Sequence, residues 1–442
     1  MRKTNLQLIC ELKKFLYRSR ADQSKYCTRD QDFTRARKLS LARVVGLLIN
    51  LPRRSLSVEI KGFLTTIGLK DLNCSKSAFS QARYKLKHCF FEDWNRVLQK
   101  SFYRDNVNRV KKWKDFIVLG VDGSTLHLFE DAAGQIADHF GKHCGAVVAR
   151  AMCCFDVLNG ISYRYKIAPY KVSEDIIARQ WLQDIGADLD ILGHTLLLYD
   201  MNFPGFAMAY EHLVHGLDFL IRSPLKFNHL VYNFVRSKQK DIVTQWYPSK
   251  EAIKELCQMG YEVDKHTFIE VRLTKVWLDS GKLEVLISSL VDQSKYHYED
   301  FGPLYFKRWA SETNYDYWKN KAQVENFSGH SVEAIYQDCY ATVFTANLHS
   351  VLMEECDQGL KQINQGRKFD YALNTNVGLG LLKDRIVQLF FNEKPQLILD
   401  ELKRLFLLHL EPVRPNRKYS RNRTIQHMEG KYMTMTNYRR CI

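Results

Sequence analysis

Two short apolar stretches, each ending in an aspartate, limit what this chain can become. They are F-I-V-L-G-V-D at 116–122 and H-T-L-L-L-Y-D at 194–200. Apolar runs of this length, stopped by an acid, read as buried strands. Further strand candidates follow the first run at 125–129, 147–158 and 161–167. An amphipathic helix is predicted over 173–185 with Ser173 as its cap, then a helix over 207–215 and a strand over 217–222. Three early strands and then helix, strand, helix, strand predict a mixed α+β (α/β) fold.

That order is the order of a ribonuclease-H-like core. The catalytic part of such a core would occupy 113–224 and resume over 301–410, where helices are predicted at 332–352, 372–392 and 395–410. Between the two parts, 225–300 is too long for a plain loop. It holds strand-like segments at 268–277 and 283–290 with a turn at Asp279-Ser280-Gly281, so it reads as a β-rich insertion. Residues 1–112 read as a helical domain. Its segments are 39–51, ended by Pro52; 57–64; a third capped by Ser75 or Ser77; and 91–102. The tail, 411–442, is basic and lacks periodicity, and reads as extended or mobile.

Charge gives these regions a partner. Residues 1–112 hold 26 Lys/Arg and 9 Asp/Glu, residues 411–442 hold 8 and 2, and the middle, 113–410, holds 31 and 38. Basic ends suit a polyanion such as double-stranded DNA, whose counterions they release. An acidic centre suits divalent cations. In the N-terminal region R-A-R-K (35–38), R-R (53–54) and R-Y-K-L-K (83–87) lie on or near short helices, which makes Arg83 and Lys85 candidate DNA contacts. The apolar run at 44–51 is too short to span a bilayer, and 1–17 lacks the continuous apolar core of a signal peptide. Eleven cysteines with no C-x-x-C pair suit a reducing cytoplasm. No P-loop or Rossmann glycine pattern appears, so no nucleotide cofactor is expected.

The chemistry gathers in Y-F-K-R-W-A-S-E-T-N-Y-D-Y-W-K (305–319). Tyr305, Arg308 and Lys319 stand at offsets −7, −4 and +7 from Glu312, which on one regular helix fall within about 60° of each other. A carboxylate flanked by two cations and a phenol can join a metal site to a phosphate site; it can equally be a solvated face with ordinary charge pairs. Asp122, Asp200 and Glu312 together can hold two Mg²⁺ ions, a hard cation that prefers oxygen, with Mn²⁺ as a substitute.

The segments G-V-D-G-S (120–124), L-L-Y-D-M-N-F-P-G (197–205) and Y-x₂-R-x₃-E-x₆-K (305–319) resemble the three acidic motifs of bacterial DDE transposases of the insertion-sequence-four type. F-T-R-A-R-K-L (33–39), S-A-F-S-Q-A-R-Y-K-L (77–86) and E-N-F-S-G (325–329) are also similar to such transposases, so the likeness covers most of the chain. The resemblance implies metal-dependent cleavage at transposon ends and transfer of the 3′-hydroxyl into target DNA. It implies Asp122, Asp200 and Glu312 as catalytic metal ligands, and Tyr305, Arg308 and Lys319 as contacts to DNA phosphates. It also implies a homodimer in the synaptic complex, acting on terminal inverted repeats in a bacterial cytoplasm, at the nucleoid when bound. Two other readings stay open: a catalytically silent transposase-derived DNA-binding protein, and a ribonuclease-H-like nuclease without strand transfer.

The chain departs from the pattern at Met201, where the family often has arginine, and at Val285, where some members place a base-trapping tryptophan. A flipped base could rest on Trp246, Trp277, Tyr296 or Tyr298, although core packing is the commoner job for such rings. Glu325 is a rival third acid, set about 140° from the stripe on a regular helix. His139, His143 and Cys144 lack a fourth zinc ligand. Asp156 reads as a hairpin residue, and His127 as a core or surface histidine.

Overall fold

The computed structural model describes residues 5–18, 20–52, 54–105 and 109–414. Arg53 of the R-R pair and all of the basic tail beyond Arg414 lie outside the described residues. The chain divides into two compact units: Met1–Arg109 with Thr125–Ala149 and Asp316–Ile442, and Val110–Ser124 with Arg150–Tyr315.

Among the described residues, nine strands belong to the main sheet: β1 (Ile117–His127), β2 (Lys142–His143), β3 (Ala146–Asp156), β4 (Ile161–Pro169), β5 (Thr195–Tyr199), β6 (Asp218–Ser223), β7 (Asp241–Trp246), β8 (Ile269–Trp277) and β9 (Leu283–Ser288). Residues 125–127, expected to open a separate strand, continue β1.

In the second unit the strand order is β4-β3-β1-β5-β6-β9-β8-β7. β1 and β3 run antiparallel: Val157 N–H donates to Val118 O, and further along Leu128 N–H donates to Val147 O. β1, β5 and β6 are parallel neighbours. An antiparallel group of three strands joined to parallel strands in the order third, second, first, fourth, fifth is the ribonuclease-H-like arrangement, so the fold is the mixed α+β one the element order predicts. β9, β8 and β7 extend the same sheet in antiparallel steps from β6. The stretch expected to be largely β also holds two helices, His229–Arg236 and Lys250–Gln258, and β7 was not among the predicted strands. Val118, Leu196, Leu198, Leu220 and Leu286 form a core beneath Phe301, Leu304 and Tyr305.

The first unit is helical. Ser40 caps Leu41–Ile49, Ser75 caps Lys76–Arg83, and Ser331 caps Val332–Glu354, each hydroxyl accepting a backbone N–H inside the first turn. Val332–Glu354 is buried on nearly every side, which makes it the central helix of its unit. Trp94 stacks on Phe344 of that helix with ring centroids 3.9 Å apart. Thr375–Phe391 and Pro395–Leu408 follow, and Leu410–Pro412, where the predicted helix ends and the basic tail begins, pairs antiparallel with Tyr371–Leu373.

One sequence expectation fails in a way that matters. Residues 305–319 do not form one regular helix. Phe301–Phe306 ends in a turn, Trp309–Asp316 follows, and Tyr317–Lys321 is a π turn. The N–H groups of Lys307, Arg308, Ala310 and Ser311 reach back three residues instead of four, and Ala322 N–H reaches back five, to Tyr317 O. The uniform rotation per residue assumed for the stripe therefore does not hold. Nor does the angle that set Glu325 apart, since Glu325 lies in a turn beyond the helix.

Candidate active site

The sheet itself sets the first two carboxylates side by side. β1 and β5 pair in parallel from Ile117 with Thr195 to Gly120 with Leu198. Two residues further in the same register come Asp122 and Asp200. Asp200 follows the last residue of β5, at the carboxyl end of a parallel strand, where open α/β sheets place their ligands. Asp122, expected to end its strand, instead lies midway along β1, which runs on to His127 because 125–127 continue it; what ends before Asp122 is the strand's buried run and its pairing with β5. β1 is buried from Ile117 to Val121 and emerges at Asp122. Asp200 follows β5 directly, and its carboxylate accepts the backbone N–H of Asn202 at 2.8 Å and the Asn202 amide at 3.2 Å.

Two glycines let other elements close in on β1. A Cβ on Gly120 would stand 2.3 Å from Ser311 Oγ, on the helix that carries Glu312. A Cβ on Gly123 would stand 2.4 Å from Glu174 Oε1. Tyr315, from the same helix as Glu312, donates its hydroxyl to Asp122 O (2.9 Å) and Ala151 O (3.1 Å). Asn314 reaches Cys153 and Ser162. The helix is thus pinned to β1, β3 and β4 just beyond the carboxylate.

Arg308 joins the acids. Its Nη2 donates to Glu312 Oε1 at 3.0 Å, and its Nη1 stands 3.6 Å from Asp122 Oδ2. The guanidinium is buried, and its Nε has no hydrogen-bond partner among the described residues. Burial pushes the Asp122 carboxyl up to about 6; Arg308 and the Gly123 N–H pull it down, and Asp200 and Glu312 push it up again. Asp122 therefore feels the charge of both other carboxylates. Tyr305 is buried in the core cluster, and burial pushes its phenol up to about 12. It lies within electrostatic reach of Arg308, Arg222 and Glu284, the last two forming an ion pair at 2.7 Å.

Lys319 lies on the π turn and, in the first unit, donates to Thr125 O at 2.7 Å; burial lowers its pKa. Lys85 lines a cavity of about 910 Å³ together with Arg35, Arg37 and Lys38. Arg83 departs from the expected DNA contact. It is 4% exposed, and its guanidinium donates to Gln337, Ser328, Asp338 and the carbonyl of Ala334. Those bonds tie helices together inside the unit and leave no face for a phosphate.

The remaining candidates have quieter roles. Glu325 accepts the His127 N–H at 3.0 Å. His139 pairs with the Tyr336 hydroxyl, and His143 with Cys144. Asp156 is a turn acceptor for Leu158 and Asn159. Trp246 and Tyr296 are buried, Tyr298 donates to Lys275 O, and Trp277 is exposed. Sequence reasoning passed over Arg150 and Glu174, an ion pair behind Gly123. The signal was available: Arg150 is the one charged residue in A-V-V-A-R-A-M-C-C-F, an otherwise apolar strand.

Among the described residues, no three His, Cys, Asp or Glu side chains stand close enough to hold a metal ion. The donor set still suits a hard dication: Asp122, Asp200 and Glu312 offer only carboxylate oxygens, and Asp122 feels the charge of the other two on top of its burial. Arg308 now neutralises two of the three.

Three comparisons bear on this arrangement. A family model described as Transposase DDE domain matches residues 113–348, more than half of the chain. No curated protein sequence matches the chain. Among solved structures, a piggyBac transposase synaptic complex with hairpin DNA aligns with 10% sequence identity and a TM-score of 0.43, covering 93% of this chain and 80% of that one.

Proposed function

The chain belongs to the DDE transposase family, and from that premise we propose that it cuts DNA at the ends of a mobile element and joins the freed 3′-hydroxyl to target DNA. The observation that supports the proposal is the parallel register that brings Asp122 of β1 and Asp200 beyond β5 side by side, with Arg308 reaching from Asp122 to Glu312. In this reading Asp122, Asp200 and Glu312 hold divalent metal, Mg²⁺ or Mn²⁺. Bound at these oxygens, the metal would lower the pKa of the attacking water or 3′-hydroxyl and stabilise the leaving oxygen. Gly120 and Gly123 let the Glu312 helix and Glu174 pack closely enough to fix Asp122. Arg308 supplies a planar fork for a DNA phosphate, with Tyr305 supporting it from the core, and Lys319 of the first unit is a separate candidate phosphate contact.

The Tyr305, Arg308, Glu312 and Lys319 spacing supports placing the chain in the insertion-sequence-four type. The basic cavity at Arg35, Arg37, Lys38 and Lys85 supports DNA contact by the N-terminal residues, outside the catalytic core over 113–224 and 301–410. Two copies would hold two element ends in a synaptic dimer.

The test uses a labelled duplex built from the inverted repeats that flank the gene, with Mg²⁺ or Mn²⁺. Wild type should nick the end and join a pre-cut 3′ end to target DNA. Glu312→Gln should bind the same duplex and cut it about 10³-fold more slowly, the size expected for removing a metal ligand. Binding without nicking by wild type would leave only a DNA-binding protein, and nicking without joining only a nuclease.

A further inference from the structure

We propose that Arg308 gates the carboxylate cluster: its guanidinium holds Asp122 and Glu312 as an internal cation until a DNA phosphate draws it away, so that metal loading and DNA-end binding are coupled. The inference rests on the reading of Asp122, Asp200 and Glu312 as the metal-holding set.

The first ground is position. The fork spans two of the three carboxylates, at 3.6 Å from Asp122 and 3.0 Å from Glu312. A dication shared by those oxygens would face a fixed positive charge at contact range, so the two cations compete for one place. While the guanidinium keeps it, no three acids close to metal-holding distance among the described residues.

The second ground is incomplete satisfaction. Arg308 is 4% exposed, yet its Nε finds no acceptor and one of its two carboxylate contacts is long. Each donor of a buried arginine left unfilled costs free energy that a new acceptor can recover. A phosphate offers oxygens in the geometry that this fork lacks here.

The third ground is a way out. Arg308 sits in the turn between Phe301–Phe306 and Trp309–Asp316, where three-residue hydrogen bonds replace regular helix. Its Cζ lies 5.5 Å from the ring of Trp309, which is 39% exposed, and Phe306 on the other side is 70% exposed. The side chain therefore stands beside a surface on which DNA could meet it.

The experiment measures Mn²⁺ binding to the full chain at pH 8, by the paramagnetic resonance of free Mn²⁺, with and without a duplex carrying the element end. Without DNA, Arg308→Met should bind Mn²⁺ about tenfold more tightly than wild type. Adding the duplex should tighten wild type by a similar factor and Arg308→Met by much less. Equal or weaker Mn²⁺ binding by DNA-free Arg308→Met overturns the gate. If that variant fails to fold, Arg308→Lys decides: it keeps the charge but cannot span both acids, so it should still tighten Mn²⁺ binding about threefold. Unchanged affinity in Arg308→Lys would then overturn the gate. The underlying reading fails separately, if Glu312→Gln leaves Mn²⁺ affinity unchanged in the Arg308→Met background, or in the Arg308→Lys background where that variant stands in.

Discussion

Arg83 and Arg308 are both 4% exposed, and both touch carboxylates, yet they are opposite kinds of buried arginine. Arg83, in the helical unit, places Nε on Gln337, Nη1 on Ser328, and Nη2 on Ala334 O and Asp338, all between 2.6 and 2.9 Å. Arg308, in the sheet unit, makes one good bond, one loose contact, and leaves Nε without a partner. The same side chain at the same depth is a tie in one place and a poised charge in the other. What separates them is how completely the donors are filled, a distinction that burial alone does not make.

Exchanging each for methionine should break this symmetry most visibly. Arg83→Met strands Asp338 in the interior and should cost about 3–5 kcal/mol in urea denaturation, the range for removing one partner of a buried pair. Protein that still folds should cut DNA at near the wild-type rate. Arg308→Met should cost roughly 1–2 kcal/mol, and yet lose about 10²-fold or more in cleavage. Equal stability losses from the two changes would sink the comparison.

The next test concerns what holds the poised arginine's helix in place. Gly120→Ala puts a methyl group against Ser311 Oγ and should cost about 1–3 kcal/mol, as overpacking does. Ser311 Oγ is buried without a hydrogen-bond partner among the described residues, so adding Ser311→Ala removes the clash at little loss. The double variant should recover much of the stability and the cleavage rate. No recovery would mean that Gly120 matters for some other reason.

A smaller effect should appear with pH. Burial raises the Asp122 carboxyl from 3.8 to about 6. Its folded-state pKa exceeds its unfolded one, so the folded protein binds the extra proton and stability from this group falls as pH rises from about 4 to about 6. Asp122→Asn should flatten that part of the stability–pH curve. Cleavage needs the ionised form, so its rate should climb through pH 6. An acid limb centred below pH 5 would exonerate Asp122.

The least effect belongs to the exposed cations. Lys85→Ala should weaken DNA binding about threefold and reduce the salt slope by about one. Arg83→Met, measured on its folded fraction, should leave the salt slope alone.

How much of this could be read from residues alone differs between the same two regions. The two aspartates were legible because an apolar run stopped by an acid is a local pattern, and the parallel register then brings them together. The pattern marks the end of a strand at Asp200, but at Asp122 it marks only the end of the buried run, since β1 continues to His127. Glu312 was legible through its spacing to Arg308, since four residues apart is close in most helical geometries. Its spacing to Lys319 was misleading, because the three-residue bonds after Tyr305 and the π turn at Tyr317–Lys321 break the rotation that periodicity assumes. Arg83 was misread because its partners, Gln337 and Asp338, lie some 254 and 255 residues away. A basic local motif, R-Y-K-L-K, looks the same whether its arginine faces solvent or a remote helix. β7 escaped notice because its residues are mostly half-exposed and leave no apolar run.

Gly123 carries a further lesson for anyone engineering this chain. Its missing side chain is the room that Glu174 occupies, with Met152 Sδ also 2.9 Å from where a Cβ would sit. In a saturation library scored for transposition, every substitution at 123 should therefore rank with loss of Asp122 itself, although glycine has no group that could touch DNA or metal. Tolerance maps of such a site would draw the active centre one residue too wide, and a charge-reversed Arg150–Glu174 pair would be needed to tell crowding from chemistry.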